Sequence, residues 1–321
     1  MITTRLTELL GLEQPLILGP MAAVAGGRLA AAVSNAGGLG LVGGGYGRMD
    51  WLQRELSLVR SSTQRPWGIG LITWSIDRDK LDAALASNPD VVFLSFGDPR
   101  PHAARIKAKS CKLICQVQDV AGALLAKAAG ADAIVAQGTE GGGHGGQRAT
   151  LPLIPAVVDA VDPIPVVAAG GIADGRGLAA ALMLGAQGAL LGTRFYCTTE
   201  ALGDEGAKQR IVEARGDHTR RTRVFDAARG YHWPDGYTGR ALHNAFMDRW
   251  EGHEQDLAAS TVARDAFRAA VAVRDYDTAM VWAGECVDLI HSVETTAAVV
   301  TRISREAEAI LRTASTHVSG T

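Results

Sequence analysis

Short apolar runs punctuate the first two-thirds of the chain, at 15–19, 38–43, 67–72, 91–96, 112–117, 131–137, 164–169 and 188–192. None alternates apolar with polar, so each reads as a strand covered on both faces. Alanine-rich stretches at 28–35, 80–87, 119–129 and 175–184 lie between them and carry helical spacing. The runs end 20 to 32 residues apart, the length of a strand, loop, helix, loop unit. Eight such units predict a closed (β/α)₈ barrel, and 321 residues accommodate that fold with an insertion. An open doubly wound sheet is the competing reading, because residues 38–43 match G-x-G-x-x-G. That match lies on the apolar strand itself and is followed by more glycines, whereas a dinucleotide fingerprint sits at a strand-to-helix turn.

The pattern changes near residue 200. Beyond it come 34 charged residues and only 9 glycines. Stretches 207–214 and 257–273 read as helices, and 295–313 as the closing helix of the barrel. The expected organisation is a barrel from 1–204 and 276–321, with 205–275 a helical lid or substrate segment over the catalytic end. Within that segment, 230–237 is turn-rich and aromatic, and Arg220, Arg221 and Arg223 read as a solvated helix face, with an anion-steering cluster the alternative.

Composition narrows the function. A net charge of −2 argues against nucleic-acid or membrane-surface binding, and 47% hydrophobic residues permit a large core. Four cysteines are too few for a disulfide scaffold, and Cys111 and Cys115 read as buried. Residues 1–11 do not resemble a secretory leader and no run spans a bilayer, so a cytoplasmic protein is expected. Glycine is in excess, 38 of 321 residues against a usual share of about 7%. Seventeen of them fall in three short clusters, 37–47, 138–146 and 170–177, each after an expected strand. Such clustering points to backbone approached closely by a ligand.

Two of those clusters carry candidate chemistry. Gly170 and Gly171 end strand seven, and Gly192 and Thr193 end strand eight, the pair of loops that usually cradles phosphate in this fold. Backbone amides there supply positive potential without a lysine. Two ordinary glycine turns are the plainer reading; their occurrence together at the expected strands favours a site. His144 stands among six glycines after strand six, and its imidazole titrates near neutrality. A lone histidine is usually structural, but this setting lets a flat ligand lie against backbone with the ring aimed at it. After strand one, Pro20 stiffens a turn that presents Met21.

Together these segments resemble the flavin-dependent nitronate monooxygenase family. The likeness runs through Gly19-Pro20-Met21, Ser34 to Gly40, Gly68-Ile69-Gly70, the His144 loop, Ala169 to Ile172, Gly192 to Phe195 and Val281 to Glu285. It implies a (β/α)₈ barrel with a small helical substrate domain and FMN as cofactor. It further implies that Pro20, Met21 and Ala22 flank the flavin ring, with Gly70 or Thr73 lining it. Gln116 would sit beside the pyrimidine ring, and Gln137 and Gly138 beside the ring or ribityl chain. Gly142 and Gly143 would allow close approach within the His144 loop. Gly170, Gly171, Gly192 and Thr193 would hold the phosphate. His144 corresponds to the family's active-site histidine, and Trp74 and Phe96 are candidates for an apolar substrate wall. The implied reaction is oxidation of a nitronate, or of a nitroalkane after loss of its α-proton, by O₂ to a carbonyl compound and nitrite. Two alternatives share the scaffold: an NAD(P)H-dependent reductase of quinones or enoyl thioesters, and a flavin-binding protein without catalysis. Homodimerisation is left open.

Overall fold

The computed structural model describes residues 2–46 and 48–314. Gly47 of the first glycine cluster, His317 and the rest of 315–321 lie outside the described residues.

Eleven strands are described: β1 (Leu16–Leu18), β2 (Gly40–Gly45), β3 (Trp67–Ile72), β4 (Val91–Ser95), β5 (Lys112–Val117), β6 (Ala133–Gln137), β7 (Gly143–Gly145), β8 (Val166–Ala169), β9 (Ala189–Leu191), β10 (Thr219–Thr222) and β11 (Thr238–Leu242). Eight of them form one parallel sheet in the order β1-β9-β8-β6-β5-β4-β3-β2. The Leu18 N–H donates to the Leu39 carbonyl and the Leu39 N–H to Leu16, which joins β1 to the start of β2 and closes the sheet. The result is a (β/α)₈ barrel, with strands where the apolar runs predicted them and edges moved by at most two residues. The lack of alternation follows from two apolar faces. Ile17, Leu41, Phe93, Ile114, Val135, Val167 and Leu190 fill the interior, joined by Leu6 and Leu10 of helix Arg5–Leu10. Their strand neighbours, such as Leu16, Leu94, Leu113 and Ile134, meet the surrounding helices. Each such side chain contributes roughly 1.5–3 kcal/mol on burial.

Helix Thr296–Thr313 packs against helices Gly175–Met183 and Gly27–Asn35, and so completes the outer ring as expected. The 205–275 segment, expected as a helical lid with a turn-rich aromatic stretch, departs from that reading. Between helices Glu205–Glu213 and Thr261–Val273 it carries β10 and β11, which pair antiparallel. β11 also pairs with β7, so the presumed His144 loop contains a strand of this second, three-stranded sheet. Arg220 and Arg221 therefore stand on a strand rather than a helix face.

Beyond β9 the chain is pinned by one buried cation. Arg194, 1% exposed, donates from Nη2 to the carbonyls of Cys197 and Ser292 at 2.7 and 2.8 Å, while Nη1 lies 3.3 Å from Glu294. Lysine has no planar fork to serve three acceptors at once. Arg194→Lys is expected to lower stability by about 1–2 kcal/mol, read as a lower midpoint of thermal unfolding.

Candidate active site

The carboxyl ends of the barrel strands converge on the turn after β1. Pro20 lies over β3, and Gly70 has no side chain because a Cβ there would overlap the Pro20 ring. Gly70 thus makes room for Pro20, a packing role that the expected ring-lining role did not anticipate. Met21 reaches the turn after β9, its Sδ 3.7 Å from where a Cβ on Gly192 would stand. At the end of β3, Thr73 Oγ1 and Trp74 Nε1 are buried with no hydrogen-bond partner. Buried polar atoms left this way ask for a missing partner, here a polar ligand.

The turns after β8 and β9 present the expected amides. Gly170 and Gly171 adopt φ of +104° and +74°, values open to glycine and costly for other residues. Among the described residues, the N–H groups of Gly170, Gly171 and Gly192 donate to no protein acceptor. Thr193 opens the short helix Thr193–Tyr196, and its Oγ1 accepts from the Gly284 N–H at 3.0 Å. Unspent amides at these two turns fit a phosphate. Gly138 and Gly142 are also required by packing. A Cβ at Gly138 would meet Thr150, and one at Gly142 would come within 2.7 Å of the backbone of 283–284. Gly143, at φ +69°, faces open space.

Three glutamines hold the far side of the site. Gln137 Oε1 accepts from Gln116 Nε2 and Gln118 Nε2, both at 3.0 Å. Its own Nε2 donates to the His144 carbonyl at 3.0 Å, which fixes which end of the amide is which. Gln118 was not anticipated from sequence.

His144 sits opposite Gly239 in the β7–β11 pairing. A Cβ on Gly239 would overlap Trp282, so the glycine lets that indole stand beside the imidazole, with ring centroids 5.2 Å apart. His144 Nε2 lies 2.7 Å from Asp226 Oδ2, a residue on helix Val224–Arg229 that no local sequence signal marked. The two side chains are 9% and 5% exposed. Burial pushes the His144 pKa below the ordinary histidine value, against an opposing pull from Asp226, and so favours the neutral ring. In the neutral ring, Nε2–H donates to the Asp226 carboxylate and Nδ1 keeps its lone pair.

Aromatic rings enclose the imidazole. Trp233 lies flat on it, with centroids 3.6 Å apart and planes 6° from parallel. Phe96 and Trp74 each pack edge-on to Trp233, at 5.0 and 5.3 Å, while Tyr237 stands 5.4 Å from Phe96. Trp233 Nε1 donates to the Tyr46 hydroxyl at 3.1 Å, and Tyr46 stacks on Tyr231 at 4.1 Å. The structure therefore gathers Trp74, Phe96 and His144 into one cluster. It adds Trp233 from the aromatic segment marked in the sequence. Phe96 holds φ at +64°, a strained value for a bulky residue of the kind that collects at functional sites.

Arg221, expected on a solvated face, points inward. Its Nε donates to the Thr139 carbonyl at 3.0 Å and hydroxyl at 2.9 Å, and its Nη1 to the Thr238 carbonyl at 2.7 Å. Burial, aided by Arg240, lowers its pKa to about 10, which leaves it charged at neutral pH. Arg240 also donates to the Thr139 carbonyl and pairs with Glu285 at 2.8 Å. The two guanidinium groups fasten the β6–β7 loop to the second sheet.

Comparison with known proteins agrees with the barrel fold. The family profile described as nitronate monooxygenase matches residues 3–77 and 72–306. A (3aS,4S,5R,7aS)-5-hydroxy-7a-methyl-1-oxo-octahydro-1H-indene-4-carboxyl-CoA dehydrogenase of Mycobacterium tuberculosis is 35% identical over 83% of this chain and 73% of its own. A probable nitronate monooxygenase of Staphylococcus aureus is 30% identical over 88% of this chain and 91% of its own. The solved structure of FabK from Thermotoga maritima superposes with a TM-score of 0.87 at 31% identity, covering 99% of this chain and 100% of that one. No helix among the described residues is long and apolar enough to cross a membrane.

Proposed function

The chain belongs to the nitronate monooxygenase family and is a flavin-dependent oxidoreductase, and on that premise we propose that it oxidises small alkyl nitronates with FMN and O₂. The observation that carries this reading is the buried, aspartate-tethered imidazole of His144 inside an aromatic enclosure at the catalytic end of the barrel. The unspent amides of Gly170, Gly171 and Gly192 would hold the FMN phosphate, with Thr193 beside them. Met21 and Pro20 would flank the ring, and Gln116 would meet its pyrimidine edge. Bound there, FMN supplies the electron acceptor for a carbanion-like carbon and the passage of electrons to O₂.

The protein's own groups bind and handle protons. A nitronate is an anion, and its arrival favours the charged imidazole, whose Nδ1–H then donates to a nitro oxygen. A neutral nitroalkane meets the Nδ1 lone pair instead, which can take its α-proton. The rings of Trp74, Phe96 and Trp233 exclude water and accept a short apolar chain. With a neutral nitroalkane the base form of His144 is required, so kcat/KM should fall as pH drops through its pKa. Because burial lowers that pKa, the fall is expected below about 6.5, the usual histidine value.

A second reading is favoured by the 35% identity to an indene-carboxyl-CoA dehydrogenase: oxidoreduction of a thioester-linked substrate on the same flavin. Anaerobic mixing of the yellow holoenzyme separates the two. Rapid bleaching by a nitronate such as propyl 2-nitronate, and none by NADH or NADPH, is expected. Bleaching by a reduced nicotinamide with no response to nitronate would transfer the assignment to a reductase.

A further inference from the structure

We propose that Asp226 is a positioning residue for His144: it holds Nε2–H, so that the ring works from Nδ1, and it carries the balancing charge when the ring is protonated. This rests on His144 being the acid–base group of the site.

The geometry asks for such a role. His144 is on a barrel-end strand and Asp226 on a helix of the 205–275 segment, 82 residues later, yet Nε2 and Oδ2 meet at 2.7 Å with both side chains buried. The carboxylate is not consumed by other partners. Oδ1 has no hydrogen bond, and Arg229 Nη1 stands 3.9 Å away, beyond hydrogen-bond reach. That guanidinium lies instead over the Tyr231 ring, 4.5 Å from its centroid. An aspartate kept only to fasten a helix would be expected to satisfy both oxygens. Here one oxygen is spent on the imidazole and the other is buried without a partner.

The surroundings leave the ring few other options. One face is covered by Trp233, while Trp282 and Phe96 stand beside it. With Nε2 tied to Asp226, Nδ1 is the ring atom left for proton traffic. Taking a proton there turns the pair into imidazolium and carboxylate, a charge-assisted hydrogen bond. Arg229 and Arg221 are the other charged groups acting on the ring, and both disfavour its protonation. Asp226 is the group that opposes them.

Asp226→Asn keeps the shape and an acceptor oxygen and removes the charge. In the flavin-loaded protein, the His144 midpoint followed by ring ¹⁵N NMR is expected to move to lower pH than in wild type. kcat/KM at neutral pH should fall roughly tenfold or more, a part of the ~10²–10⁴-fold usually supplied by acid–base catalysis. Asp226→Glu should restore part of the midpoint. An unchanged midpoint in Asp226→Asn would overturn the proposal. Should that variant fail to fold, the ¹⁵N shifts of the wild-type ring decide: an Nε2–H tautomer supports it and an Nδ1–H tautomer overturns it. These readouts do not depend on turnover, so they stand apart from any failure of the assigned reaction.

Discussion

His144→Ala is expected to retain bound yellow flavin and to lose roughly 10²–10⁴-fold in kcat/KM for nitronate oxidation. The two halves of this expectation come from separate parts of the molecule. The amides suited to phosphate lie on the turns after β8 and β9, and the glutamine network is held by side chains and by the His144 carbonyl, which alanine keeps. The loss falls on chemistry because the substitution removes the imidazole that Asp226 orients and Trp233 encloses. Flavin content by absorbance and steady-state rates on the same preparation check both halves. Turnover within a few-fold of wild type would remove His144 from the mechanism.

Arg221→Met is expected to cost about 2–4 kcal/mol of stability and to depress activity without touching substrate. Methionine approximates the length of the stem and offers no donors. The carbonyls of Thr139 and Thr238 then lose an Arg221 partner, and Thr139 keeps only Arg240. The same loss loosens β7 from β10 and β11, and with it the strand that carries His144. Thermal unfolding reads the first effect. A fall in kcat that exceeds the loss of folded protein reads the second.

The barrel was legible because both faces of its strands are apolar and because strand ends recur at the spacing of one strand-and-helix unit. Ile17 looks inward and Leu16 and Leu18 outward, and all three are apolar. The second sheet was not legible for the opposite reason. β10 is Thr-Arg-Arg-Thr and β7 is Gly-His-Gly, neither of which carries an apolar run, and pairing with β11 makes them strands. Arg221 was misjudged along with them, since charge runs are usually solvated and only the fold reveals the carbonyls gathered around this one. The amides of Gly170, Gly171 and Gly192 could be read from local spacing. Asp226 could not: its partner is distant in sequence, and an aspartate in the first turn of a helix already has an ordinary explanation in the helix dipole. Several glycines of the His144 loop had a reading beyond cofactor approach, as Gly142 shows by abutting the backbone at 283–284.

The pairing of β7 with β11 has a consequence for how enzymes on this scaffold can diversify. In many barrels a loop can be traded between relatives without disturbing the reactive group, because that group belongs to a barrel strand. Here the 205–275 segment supplies the carboxylate beside the imidazole, the indole on its face and the strand that sets its register. A chimera carrying another relative's segment would inherit a new substrate enclosure and a new acid–base strength in one exchange. Substrate range and proton affinity are thus inherited as a single module.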